Sequence, residues 1–266
     1  MTPSIPPISP VPRMVGILGG MGPAAGADFV RLFVEACTRR MAALGIPVRD
    51  QAYPEHWLAQ VPIPDRTAAL GDRTSGAHQP AEPMAQATGR LVALGVQAVA
   101  IACNTAHAWH GELQQRFPQL QVLHGMREVA AGLAAAQVPR VALLATQGSY
   151  DSGLYQAELQ RHGVACVLPQ PGEREQLMQG IYDGVKAGDY ALARHRFAAV
   201  AQALRERDGV STLIMGCTEI PLALDEAAAG ARLVNPSQVL AEALARCAYA
   251  GIRPRTPARA GADAIA

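Results

Sequence analysis

The chain has 266 residues, half of them hydrophobic and 17% charged, and a formal net charge of +1. That composition suits an ordinary soluble protein with two cored lobes or one large domain. It carries no basic run and no apolar stretch long enough for a bilayer, so nucleic acid and membrane are excluded as its main partners.

In chain order, residues 1–12 are spaced with prolines where a signal peptide would need an apolar core. They read as a disordered lead-in to a cytoplasmic protein. "MVGILGG", from Met14, has the length and glycine boundary of a strand. The glycine-rich "GILGGMGPAAG", with Met21 at its centre, lacks the acidic partner of a dinucleotide fingerprint and the Gly-Lys-Ser/Thr of a phosphate loop. It reads instead as a strand-to-helix turn that approaches a small ligand closely. Ala24 to Leu44 then sets Phe29, Leu32, Phe33 and Ala36 on one helical stripe. Further helices are predicted over Ala81–Leu94, Ala106–Phe117, Ser152–His162, Glu173–Ala187 and Tyr190–Arg207. Strand-length runs "AVAIAC", "VALLATQGS" and "STLIMGC" fall between them, and the tail 253–266 reads as disordered. Strands alternating with helices predict an α/β fold of mostly parallel sheets flanked by helices, with ligands off the carboxyl ends of the strands.

Two of those strands end alike. "GVQAVAIACNT" and "GVSTLIMGCTE" align without gaps from Gly95 and Gly209, and each places a cysteine eight residues after its glycine. The repeat predicts two similar lobes, each presenting one thiol, Cys103 or Cys217, at a strand end. The expected boundaries are 13–127, completed by 232–252, for the first lobe and 128–231 for the second. Thiols on opposite sides of one carbon can remove a proton from one face and deliver one to the other, inverting a stereocentre. A free thiol is roughly 3% thiolate at pH 7, and a helix N-terminus beside it would raise that share. The side chains of Asn104, Thr105 and Thr218 can hold a carboxylate next to it. The other cysteines, Cys37, Cys166 and Cys247, fall within helix or strand patterns and are assigned to packing. The five cysteines are an odd number without zinc-ligand spacing, so neither a disulfide framework nor a metal site is indicated. His107, one helical turn past Cys103, reads as a structural histidine or a tuner of the thiol. Asp65, Trp109 and His110 read as structural or rim residues.

The chain resembles the aspartate/glutamate racemase family, in its cofactor-independent aspartate racemase branch. The likeness runs from about Met14 to about Ala250, through "GILGGMGP", "RDQ" at Arg49, "IPDRTAAL", "CNTAH", "LLAT", "SGLY", "GIYDGVKAGD" and "GCTE". It implies two α/β lobes with the active site between them, a homodimer, no cofactor, and Cys103 and Cys217 as the catalytic pair. It also implies that Arg49 and Lys186 hold the substrate's side-chain carboxylate, within a binding set of Met21, Asn104, Thr105, Thr146, Thr218 and Glu219. Lys186 is the single lysine among 23 basic residues. Glu219 stands where glutamate racemases usually carry histidine, which favours aspartate.

The chain departs from the family pattern at Gly26, Ala52, Tyr53, Arg127 and Val129. Alternatives to an aspartate racemase are a glutamate or broader amino-acid racemase, a hydantoin racemase, a maleate isomerase, or a dicarboxylate-binding protein. A pyridoxal-phosphate enzyme would have only Lys186 for its Schiff base.

Overall fold

The glycine-bounded apolar runs are the inner strands of two parallel sheets in a computed structural model that describes residues 11–71 and 79–252. The first sheet comprises β1 (Val15–Gly19), β2 (His56–Gln60), β3 (Ala98–Ile101) and β4 (Gln121–Val122), in the order β2-β1-β3-β4. The second comprises β5 (Arg140–Leu144), β6 (Ala165–Val167), β7 (Thr212–Met215) and β8 (Arg232–Val234), in the order β6-β5-β7-β8. All pairings are parallel, and the two orders are the same. β1, β3 and β7 are buried along their whole length and β5 along all but its first residue, because helices cover both faces.

The helices are α1 (Pro23–Ala43), α2 (Arg66–Gly71), α3 (Ala81–Ala93), α4 (His110–Arg116), α5 (Gly125–Ala135) and α6 (Gln147–Ser152). α7 (Leu154–Arg161), α8 (Pro171–Gln179), α9 (Tyr190–Asp208), α10 (Glu226–Ala229) and α11 (Pro236–Ala248) follow. The stripe predicted on α1 is buried: Phe29 and Phe33 are fully enclosed with Val15, Ile17, Leu240 and Leu244 on one face of the first sheet. Each such ring adds about 1.5–3 kcal/mol of burial. Leu18, Val99 and Ile101 point to the other face, onto α3 and α4, as the two-residue period of a strand requires. The second sheet is wrapped by α5, α7 and α9 around Leu143, Ile214 and Phe197.

Three predicted helices are broken, each for a local reason. Ala106–Phe117 is a 3-10 turn over Thr105–Trp109 followed by α4, because the His107 ring takes up the carbonyls of Cys103 and Asn104. Ser152–His162 divides at Gly153, whose left-handed backbone (φ 64°) ends α6 and starts α7. Glu173–Ala187 passes from α8 into a π-turn over Gly180–Gly184 and a 3-10 turn over Val185–Ala187. A β-carbon at Gly180 would meet the Phe197 ring at 2.5 Å, so only glycine lets α9 pack this closely.

The lobe boundaries also shift. β8 pairs with β7, so residues 232–234 complete the second sheet rather than the first lobe. α5 enters the second core from Met126. α11 alone crosses back to the first lobe, where the Arg13 N–H donates to the Ala248 carbonyl at 2.7 Å. Residues 1–10 and 253–266, read above as lead-in and tail, lie outside the described residues. Among those described, no helix is long and apolar enough to cross a membrane.

Candidate active site

Cys103 and Cys217 each lie two residues past the end of the third strand of their sheet. Both are buried, each 7% exposed, and both line one cleft between the lobes. It encloses about 280 Å³ of empty space, part of it open to solvent. The first lobe contributes Met21, Asp65, Arg66, Thr67, Cys103, Asn104 and Thr105. The second contributes Thr146, Tyr182, Lys186, Cys217, Thr218 and Glu219.

The thiols differ in their company. Burial pushes Cys103 up from the ordinary thiol range, against the Arg66 guanidinium and the Ala106 N–H, which favour its thiolate. Burial also pushes Cys217 well up, and here the Glu219 carboxylate adds to the effect. Cys217 Sγ–H donates to Glu219 Oε2 at 2.9 Å, and Thr218 Oγ1 donates to the same oxygen at 3.1 Å. The segments after the cysteines start as short 3-10 turns, Thr105–Trp109 and Ile220–Leu222, in place of the helix N-terminus expected beside each sulfur. The macrodipole argument therefore gives way to single backbone N–H groups and to charged neighbours.

Polar groups line the space between the sulfurs. Thr105 Oγ1 lies 2.9 Å from Thr146 Oγ1 and 3.1 Å from Ser149 Oγ, a cluster of hydroxyls that joins the lobes. Asn104 Oδ1 accepts from the Tyr155 hydroxyl at 2.6 Å, so its amide nitrogen is the donor end. Lys186 Nζ sits 4.3 Å from the centre of the Tyr182 ring, and Tyr182 OH donates to Asp65 Oδ2 at 2.8 Å. Asp65 also accepts the Ala68 N–H at 2.9 Å, capping α2. Burial would raise its carboxyl, but the Ala68 and Tyr182 donors, Arg66 and Lys186 together hold it below its ordinary range.

Two cations were expected at the cleft by resemblance, Arg49 and Lys186. The structure brings Lys186 there and not Arg49, which is exposed and precedes the turn Asp50–Ala52. The arginine in the cleft is Arg66, 7% exposed, with its guanidinium anchored on the carbonyls of Met21, Ile63 and Pro64. Sequence reasoning missed Arg66, Thr67 and Tyr182, although all three lie in the "IPDRTAAL" and "GIYDGVKAGD" segments that carried the resemblance. Met21 of the glycine-rich turn lines the cleft, and the turn also packs closely on the chain itself. Gly20 (φ 90°) faces the Val61 backbone, where a β-carbon would come within 2.2 Å of the carbonyl oxygen.

His107 is buried and neutral. Its Nδ1 bonds the Cys103 carbonyl at 2.9 Å and its Nε2 accepts the Gly125 N–H at 3.0 Å, which fixes the tautomer. Burial, then His124 and His110, push its pKa down to about 3. It is a strut behind Cys103. Trp109 packs in the first core, and His110 bonds the Val122 carbonyl. Among the described residues no group of histidine, cysteine and carboxylate side chains is placed to hold a metal ion.

The departures from the family pattern lie outside the cleft. The space beside Gly26 is filled by Gln60, which bonds the Pro23 carbonyl. Tyr53 bonds Thr38, and the Ala52 carbonyl accepts from Tyr249. Arg127 pairs with Glu158, and Val129 is core.

The family model described as Asp/Glu/hydantoin racemase matches residues 18–244. The broad specificity amino-acid racemase RacX of Bacillus subtilis is 23% identical over 231 residues, which cover 86% of this chain and 95% of that protein. Glutamate racemase of Pseudomonas paraeruginosa is 35% identical over 140 residues, 49% of this chain and 48% of that one. The solved structure of Picrophilus torridus aspartate racemase superposes with a TM-score of 0.72 at 27% identity, over 89% of this chain and 94% of that one.

Proposed function

The chain belongs to the Asp/Glu/hydantoin racemase family, and on that premise we propose that it interconverts the enantiomers of an acidic amino acid, aspartate first, with no cofactor. The observation that carries this reading is the pair of cysteines lining one cleft with Lys186 beside them. One sulfur, as thiolate, takes the α-proton; the other, as thiol, delivers a proton to the opposite face. Asn104, Thr105, Thr146 and Thr218 offer donors to the α-carboxylate. Lys186 offers a cation to the distal carboxylate, and Arg66 supplies the cleft's second positive charge. Met21 forms part of the floor. Arg49 stands outside this arrangement, which favours one second reading, a broader range of side chains with acidic ones preferred. A homodimer in the cytoplasm goes with the proposal.

The test is chiral chromatography of L-Asp, L-Glu, L-Ala and a hydantoin incubated with purified protein without cofactor. Aspartate should approach an equal mixture of enantiomers, ahead of glutamate and far ahead of alanine. Racemisation of the hydantoin alone, or dependence on added pyridoxal phosphate, would overturn the proposal.

A further inference from the structure

The two thiols stand in unequal electrostatic settings, although their strands and turns are copies of one another. Arg66 reaches the first from α2, outside the repeated segment. Three carbonyls hold its terminal nitrogens, and its Nε is buried without a hydrogen-bond partner among the described residues. A cation held this rigidly beside a sulfur stabilises a negative charge there and cannot swing away to be solvated. The second thiol faces the opposite sign. A sulfur and a carboxylate oxygen 2.9 Å apart repel one another unless a proton lies between them. Cys217 therefore keeps its proton, donated to Glu219 Oε2.

We infer that Cys103 is the thiol that gives up its proton first, that Cys217 keeps the proton it donates to Glu219, and that Arg66 is the positioning residue that sets this order. Burial pushes both thiols up. At Cys103, Arg66 and the Ala106 N–H oppose that push, and Glu219 adds to it. At Cys217 the Glu219 carboxylate adds to the push, outweighing the Glu219 backbone N–H that opposes it, and Cys103 adds further, with the phenols of Tyr150, Tyr155 and Tyr182 nearby. Asp65 and Lys186 offset each other across the Tyr182 ring at the cleft wall. For the reaction, which rests on the racemase reading, the consequence is an order of events. The form with Cys103 ionised is reached first, and it accepts the enantiomer whose Cα–H faces Cys103. The α-proton goes to the Cys103 sulfur, and the proton held by Cys217 goes to the opposite face of the same carbon. The charge thus ends on Cys217 beside Glu219, a form that the unequal settings disfavour.

The test needs no substrate. The full-length protein is alkylated with iodoacetamide between about pH 7 and about pH 11, a span that extends above an ordinary thiol because burial pushes both groups up, and peptide mass spectrometry reads the rate at each cysteine. The midpoint of each rate–pH curve is the readout, because limited access scales a rate equally at every pH. The Cys103 midpoint should lie at least about one pH unit below that of Cys217, a tenfold difference in acidity. Arg66→Met should raise the Cys103 midpoint and leave the other in place, and Arg66→Lys should restore it. Should Arg66→Met fail to fold, Glu219→Gln carries the test, lowering the Cys217 midpoint more than the Cys103 midpoint. Equal midpoints, a lower one at Cys217, or variants that move neither would overturn the inference. Failure of the racemase reading would appear separately, as absence of racemisation with the midpoints still unequal.

Discussion

The Cys103 and Cys217 stations share a backbone and differ in chemistry. In both, the residue before the cysteine donates its N–H to the neighbouring strand: Ala102 to the Leu18 carbonyl at 2.9 Å and Gly216 to the Leu144 carbonyl at 2.6 Å. In both, the sulfur lies off the third strand, and a short 3-10 turn follows. The first station is braced from behind by the His107 strut and faced by Arg66; the second leans on Glu219 from its own turn. Repetition of a fold therefore places two like groups, while side chains from outside or beside the repeat give them unequal charged neighbours.

The largest test of that equivalence in placement removes one sulfur at a time. Cys103→Ala and Cys217→Ala should each lower racemisation by about 10²–10⁴-fold, the share that a positioned acid or base contributes. In D2O, NMR should still show each variant exchanging the α-proton of one enantiomer, and the two variants should choose opposite ones. Exchange of the same enantiomer by both would break the two-faced arrangement.

A smaller effect is expected on the cation between the stations. Lys186→Met should slow aspartate turnover roughly thirtyfold, the equivalent of about 2 kcal/mol for leaving the distal carboxylate without its cation in the cleft. Alanine, with no distal carboxylate, should lose far less, so the ratio of kcat/KM for the two substrates is the measurement. An unchanged ratio would place the carboxylate site elsewhere.

Smallest is the contribution of the strut, which only the first station has. His107 takes up its proton at about 3 when folded, against 6.5 for a free imidazole. As pH falls below 6.5 the unfolded chain gains a proton that the folded one does not, so stability falls. The loss should be about 1 kcal/mol between about pH 6.5 and about pH 5.5, approaching about 1.4 kcal/mol per unit below that. Urea unfolding of His107→Gln should show a shallower fall over the same range, though lower stability at pH 7. An equal slope in both proteins would mean that His107 is not held neutral.

The inner strands were legible because burial on both faces leaves an unbroken apolar run closed by glycine. Their edge partners were not: β4 has two residues, and β2, β6 and β8 are half covered, so no run forms. The breaks in the predicted helices were hidden because apolar spacing continues through Gly153 and through Gly180. The cysteines stood out through their repeat. Arg66 did not, since nothing in "IPDR" says that its guanidinium turns inward to three carbonyls. Resemblance pointed instead to Arg49, whose exposure depends on the path of the chain after α1.

The return of α11 sets the order in which this protein can be built. Leu240, Leu244 and Tyr249 finish a core begun by Val15, Phe29 and Phe33, across some two hundred intervening residues. The second lobe, continuous from α5 to β8, can close on itself as it leaves the ribosome, whereas the first waits with one face of its sheet uncovered. Docking of α11 is therefore the step that closes the first lobe's core, after the chain of the second lobe is already made.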